Sequence, residues 1–507
     1  MKRNKVSSFK NAAFQLLSPH LINDKLKNKT AYIDDFGSHS YLELFNMTTQ
    51  VAVCLQKINA KPNQRILVCM LDTFTLPSVF LGAIRAGAIP ILTSTMLTEK
   101  DYAYMIDDSE AKIAIVSDEF LPMFKKIKKN RKNFEIILSE SEVTREKNCE
   151  SFLDYISKPT DPCFWLYSSG STGNPKGTIH KHESLYLTYE LYAKSVLKIS
   201  ESDTIFSAAK IFFAYGLGNA LSFPICAGST VILKAQRPTP ESVFDVLTTK
   251  EPTIFFGVPT LFAALLASNQ FPDKKQLNLR LAVSAGEPLP PEIGKKWLEK
   301  TGVELLDGIG STEMLHIFLS NKQGESRLGT TGTPVNGYKL KIMNDDNKEC
   351  LKSEIGELYV EGATCSIGYW KKEEKSKTTF IDGWTKTGDK FIRDHDGYYI
   401  YQGRSDDMLK VGGIYVSPTE VENCLCEHPA VLESAVIGTP DERQLIKPKA
   451  FVVLNHNYSQ SESLKDELKL HVKSNLAIFK YPRWITFIEE LPKTATGKIM
   501  RYKLRNY

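Results

Sequence analysis

Ile66-Leu67-Val68-Cys69-Met70-Leu71 and Ile113-Ala114-Ile115-Val116 are short apolar runs flanking Leu76–Ala88, an apolar segment of helical length. Strand-length runs on either side of a helix-length one give the order β–α–β. The texture recurs at Thr230–Leu233, Thr253–Phe256 and Arg280–Ser284, several of them closing on Gly, Pro or Ser turns. Such alternation predicts α/β layers with largely parallel sheets. In sheets of this kind ligands bind at the carboxyl ends of strands, which is where the glycine-rich loops fall here.

Towards the end the texture changes. Gly403-Arg404-Ser405-Asp406-Asp407 follows a strand-like Tyr398–Tyr401 and is polar and turn-prone, a candidate domain boundary. Beyond it the patterning predicts a helix over Thr419–Glu427, strands at Ser434–Ile437, Ala450–Leu454 and Trp484–Ile488, and an amphipathic helix over Ser463–Leu476. The apolar positions of that helix, Leu464, Leu468, Val472 and Leu476, are spaced by four. These elements make a small α+β domain after a large α/β one.

A chain of 507 residues is too long for one hydrophobic core, so two or more domains are expected. The net charge of +5 is small and diffuse, which disfavours nucleic-acid binding. Nine scattered cysteines, an odd number, argue against a disulfide framework, and the close pair Cys424 and Cys426 reads as packing. The first residues lack the apolar centre of a signal peptide. The most apolar long window, Leu76–Leu92, is broken by Arg85, Gly87 and Pro90 and falls short of a membrane span. A cytoplasmic enzyme is the expectation.

The strongest local signal is Tyr167-Ser168-Ser169-Gly170-Ser171-Thr172-Gly173-Asn174-Pro175-Lys176-Gly177, after the apolar run Cys163–Leu166 and before a helical stretch from His182. Its glycines allow close backbone approach, and its hydroxyls and lysine offer donors to phosphate oxygens. A flexible serine–glycine linker is the bland reading, but a position between strand and helix is unlike a linker. The Walker pattern is absent.

This loop resembles the phosphate-binding signature of the acyl- and aryl-CoA ligase, peptide-synthetase adenylation and luciferase superfamily. The resemblance extends from Tyr41-Leu42-Glu43-Leu44 to the C-terminus. Asp307-Gly308-Ile309-Gly310-Ser311-Thr312-Glu313 resembles the nucleotide loop, and Gly383–Asp389 the ribose-binding segment. Gly403–Asp407 resembles the hinge and Pro492–Lys498 the catalytic-lysine loop. It implies an N-terminal domain over 1–403 built of layered α/β subdomains, a hinge at 404–406 centred on Asp406, and a small mobile C-terminal lid over 407–507.

The implied reaction is carboxylate plus ATP giving acyl-AMP and pyrophosphate, then attack by a thiol giving a thioester. Ser168, Ser169, Gly170, Ser171, Thr172, Gly173 and Lys176 are expected to hold the β- and γ-phosphates. Thr312 would bond the α-phosphate, and Glu313 would hold Mg²⁺, a hard cation suited to carboxylate and phosphate oxygens. Asp307, Gly308 and Ile309 belong to the nucleotide loop. Asp389 would accept from the ribose hydroxyls with Arg404 nearby. Lys498 would stabilise charge between carboxylate and α-phosphate, and Gly412 and Gly413 would line the path of the coenzyme A arm.

Within the superfamily the chain most resembles the benzoate-CoA ligases and related aryl-CoA ligases. That likeness rests on Phe164–Tyr167, Ala208–Pro224 and Ser311–Asn321. Phe212, Phe213 and Tyr215 beside Ala214, Gly216 and Gly218 suggest a flat slot, walled by aromatics with glycines leaving room for a ring. Gly286, Ile309, Gly310 and His316 complete the expected acyl pocket. The acid that would pair with an α-amino group is missing beside Phe213-Ala214, which disfavours amino-acid substrates. Benzoate, hydroxybenzoates, anthranilate and cinnamates stay open. So do three readings of the whole: an aryl-CoA ligase, a free-standing enzyme loading a carrier protein's phosphopantetheine, and a non-catalytic nucleotide- or acyl-binding relative.

Overall fold

The computed structural model describes residues 9–22, 24–146, 152–170, 173–405, 407–411, 414–442, 445–493 and 499–505. The stretch quoted first builds the middle of a seven-stranded sheet. Strand Arg65–Cys69 pairs in parallel with Ile113–Val116 on one side and with Ile89–Leu92 on the other. Helix Thr75–Arg85 connects the first and last of these, buried at every position from Leu76 to Arg85. Buried Arg85 is fully engaged: it pairs with Asp154 at 2.6 Å and donates to the hydroxyls of Thr48 and Thr49. That is the condition for a charge inside a core.

One strand was not expected. The window Leu76–Leu92 divides at Gly87, whose φ of +84° turns the chain from helix into strand Ile89–Leu92. Pro90 sits opposite Ile66 in the centre of the sheet, where proline is unusual because it donates no ladder hydrogen bond.

A second, nine-stranded sheet has a parallel centre made of Thr30–Asp34, Thr230–Ile232, Thr204–Ser207, Ile254–Gly257, Leu281–Ala285 and Leu305–Gly310. An antiparallel sheet follows, in which Trp384–Arg393 lies between Gly356–Glu361 and Tyr399–Arg404. The strand expected at Tyr398–Tyr401 therefore runs through Gly403 and Arg404. The last part of the chain is α+β, as expected: sheet Val431–Pro440, Ile446–Leu454, Trp484–Phe487 packs against helices Pro418–Cys426 and Glu462–Asn475. Leu464, Leu468 and Val472 are buried in its core with Val421, Leu425, Val436 and Val452, while Leu476 caps the helix at the core's edge. Among the described residues no helix is long and apolar enough to cross a membrane.

Candidate functional site

The phosphate-loop segment is not a strand-to-helix turn. Pro162–Gly170 and Gly173–Lys181 pair as an antiparallel hairpin with Gly170 opposite Gly173, and helix His182–Thr188 begins only after the second strand. The period-two pattern of residues 173–181 is hidden by its glycines, proline and lysine. The hairpin brings the two ends of the loop together, so Ser168 stands opposite Lys176. Ser171 and Thr172 lie outside the described residues.

Glu313 reaches the base of this hairpin. Ser168 Oγ donates to Glu313 Oε1 at 3.5 Å, and Thr178 Oγ1 donates to Ser168 Oγ at 3.4 Å. A residue that sequence reasoning passed over completes the group: the Tyr369 hydroxyl donates to the same Glu313 oxygen at 2.7 Å. Lys176 Nζ lies 4.2 Å from the centre of the Tyr369 ring. Burial lowers the Lys176 pKa, with the nearby Glu313 carboxylate opposing that shift. The cluster offers a cation for phosphate and a carboxylate with hydroxyl oxygens, a donor set that fits a hard divalent cation.

The nucleotide-loop residues Gly308, Ile309 and Gly310 end strand Leu305–Gly310, and Gly286 follows the end of the neighbouring parallel strand Leu281–Ala285. Both lie at carboxyl ends, as the α/β pattern predicts. Asp307 is buried, its Oδ1 has no hydrogen-bond partner, and burial raises its pKa well above the usual carboxylate range. It lines a cavity of about 610 Å³ shared with Thr330, Tyr401, Gln402, Glu420 and Asn423, which lies apart from the Glu313 cluster. Asp389 pairs with Arg404 at 2.9 Å across neighbouring strands. Gly388 sits at φ +77°, a backbone conformation that residues with a side chain rarely adopt.

Of the expected acyl-pocket residues, the structure brings Tyr215, Gly218 and His316 together. The room Gly218 leaves is filled by His316, whose Cδ2 would lie 2.3 Å from an added Cβ. The imidazole packs edge-on against Phe223 at 4.4 Å and lies 5.6 Å from the Tyr215 ring. His316 Nε2 is 3.2 Å from Asn219 Oδ1 and 3.3 Å from the Tyr215 carbonyl, both acceptors, so Nε2 carries the proton. The Tyr215 hydroxyl donates to the Val283 carbonyl at 3.0 Å. Phe213 and Ala214 are half-buried against the apolar cluster that includes Val68 and Phe164, and Ile309 against the one that includes Val283 and Leu306. Asn219, which carries no motif of its own in the sequence, is buried beside His316 with its Nδ2 unpartnered.

Burial drives His316 down to about 3, so the imidazole is uncharged at neutral pH. The shift has a consequence for stability. The folded pKa lies below the unfolded one, so the unfolded chain takes the proton first. The associated stability is present above about pH 6.5 and is lost as pH falls towards 3. Between pH 7 and pH 5 the loss is about 2 kcal/mol for such a group. Asp72, raised to about 6 by burial, titrates in the opposite sense, so the wild-type slope alone is not diagnostic. His316→Gln is expected to flatten the pH 7-to-5 loss by about 2 kcal/mol relative to wild type. Urea unfolding at the two pH values checks this, and equal slopes would contradict a neutral buried imidazole.

Cys424, read as a packing residue, is buried in the C-terminal core, and donor atoms of Cys424, Glu427 and His471 lie within 4.8 Å of one another. His471 Nε2 is hydrogen-bonded to the Cys424 carbonyl at 2.9 Å. Lys498, Asp406, Gly412 and Gly413 lie outside the described residues.

Layered α/β sheets, a hydroxyl-and-lysine hairpin facing a carboxylate, and a separate α+β C-terminal unit define the class of nucleotide-activating, adenylate-forming enzymes. The sequence pattern of the AMP-binding enzyme family matches residues 22–370, and that of the AMP-binding enzyme C-terminal domain matches 420–498. The chain belongs to the AMP-binding enzyme family. It is 49% identical to the benzoate–CoA ligase of Thauera aromatica over 98% of this chain and 96% of that protein. A benzoate CoA ligase from Burkholderia xenovorans LB400 superposes with TM-score 0.92 at 45% identity, covering 98% of this chain and 99% of that one. The anthranilate CoA ligase AuaEII, solved with anthranoyl-AMP, gives TM-score 0.94 at 40% identity, covering 100% and 98%.

Proposed function

We propose that this chain is an AMP-forming acid–thiol ligase that activates a benzoate-like aromatic acid with ATP and transfers the aryl group to coenzyme A. The observation that carries the reading is the convergence of Lys176, Ser168 and Glu313 in a chain that aligns end to end with aryl-CoA ligases. In the first half-reaction a carboxylate oxygen attacks the α-phosphorus and pyrophosphate leaves. In the second, the thiol of coenzyme A attacks the acyl carbon and AMP leaves.

Ser168, Ser169, Gly170, Ser171, Thr172, Gly173 and Lys176 hold the departing phosphates, Thr312 bonds the α-phosphate, and Asp389 with Arg404 holds the ribose. Glu313 would hold Mg²⁺, which when bound neutralises phosphate charge. Asp406 serves as the hinge between the N-terminal domain and the lid, and Gly412 and Gly413 line the coenzyme A path. The pocket around Phe213, Ala214, Tyr215, Gly286, Ile309 and Gly310 takes the ring, with His316 filling the space beside Gly218. With His316 neutral, none of these side chains is charged, so the carboxylate must face outward, away from the uncharged slot. The enzyme acts in the cytoplasm.

Benzoate is expected to exceed acetate and long-chain fatty acids in kcat/KM, because a ring buries far more apolar surface than a methyl at about 25 cal/mol per Å². A long chain would not fit a slot sized for one ring. Ala214→Leu adds bulk beside Tyr215 without touching the phosphate hairpin. It should depress benzoate selectively and spare acetate, with ATP binding retained. Pyrophosphate release with each acid, in the presence of coenzyme A or of a carrier protein, tests both parts. An unchanged benzoate-to-acetate ratio in a folded variant puts the pocket elsewhere, and turnover with the carrier alone replaces coenzyme A as acceptor.

A further inference from the structure

We propose that Tyr369 is a positioning residue for the adenylation step, its hydroxyl orienting the Glu313 carboxylate while its ring holds the Lys176 ammonium apart from that carboxylate. This rests on the ligase reading above. Four observations hold the tyrosine still. Gly368–Tyr369 pairs antiparallel with the returning strand of the phosphate hairpin, Tyr369 opposite Thr178. The Tyr369 amide donates to Ser376 Oγ at 3.0 Å. The ring lies 5.3 Å from that of Phe380. Its exposure is only 7%.

A hydrogen bond to a carboxylate at 2.7 Å is of the strong, charge-assisted kind and fixes which way the second oxygen points.

The ring does a second job. Lys176 and Glu313 attract one another, yet the ammonium rests over the aromatic face 4.2 Å from its centre. A direct lysine–carboxylate contact would cancel both charges and close the space between them. A cation–π contact leaves the ammonium charged, partly desolvated and weakly enough held to yield to a phosphate. The tyrosine is therefore a spacer that keeps an anion-binding and a cation-binding group distinct within one small cluster.

Tyr369→Phe removes the hydroxyl and keeps the ring; Tyr369→Leu removes both. ATP affinity is measured by calorimetry without any acid, adenylation by aryl-dependent pyrophosphate release, and folding by Tm. Tyr369→Phe is expected to lower the adenylation kcat about tenfold to a hundredfold with the Kd for ATP nearly unchanged. Tyr369→Leu is expected to weaken ATP binding about tenfold in addition. Wild-type kcat in the Phe variant overturns the orienting role, and wild-type Kd in the Leu variant overturns the spacer. If Tm falls and kcat and Kd worsen together in both variants, the residue is structural and the proposal fails. A wild-type protein that releases no pyrophosphate with any aryl acid sinks the ligase reading instead, while the Kd comparison still judges the spacer.

Discussion

Replacing Lys498 with Ala is expected to slow adenylate formation at least about 10²-fold, the scale for losing one preorganised charge stabiliser. Lys498 itself lies outside the described residues, but the described residues on either side of 494–498 are tied down. Lys493 pairs with Glu433 at 2.8 Å, Lys493 and Ile499 form an antiparallel bridge, and Met500 donates its amide to the Pro492 carbonyl at 2.8 Å. Just beyond, Arg501 is anchored on Glu422 at 2.8 Å. If the lysine serves only adenylation, preformed aryl-AMP with coenzyme A should restore much of the thioester step in the variant. Equal losses in both assays would mean that the assigned role is wrong, or that the lysine is structural.

The difference between what was and was not legible follows the range of the interactions. The alternation of strands and helices, the C-terminal helix with Leu464, Leu468 and Val472 on one face, and the order of the glycine-rich loops are local patterns. They are written into consecutive residues. Strand Ile89–Leu92 was missed because Pro90 is a local signal against a central strand, and only pairing with Ile66 and Trp165's strand overrides it. The phosphate hairpin was read as a loop before a helix because Gly173–Lys181 owes its strand to its partner, not to its own pattern. Tyr369 carries no motif of its own. Its meaning arises from a partner 56 positions away in Glu313, and from the register that sets it opposite Thr178. Gly218 was read as room for a substrate ring, whereas the space beside it belongs to His316, a contact of the same long-range kind.

Glu313→Gln is expected to lower kcat/KM for adenylation by about 10²- to 10³-fold, because it removes a charge while keeping shape. The amide oxygen can still accept from Tyr369 and Ser168, so the variant should fold and melt close to wild type. What it loses is electrostatic. A neutral amide is a far poorer ligand for a hard divalent cation than a carboxylate, so the Mg²⁺ concentration giving half-maximal rate should rise about tenfold or more. Lys176 is affected as well. Burial already disfavours its ammonium and the Glu313 charge supports it. Without that support its pKa falls further, so the variant should lose ATP affinity at a lower pH than wild type as pH is raised. A solvated, non-ligating glutamate at this position would move neither the Mg²⁺ dependence nor the alkaline limb of ATP binding. Wild-type behaviour in both, with the rate reduced, would therefore assign the loss to a local distortion and take the cation-holding role away from Glu313.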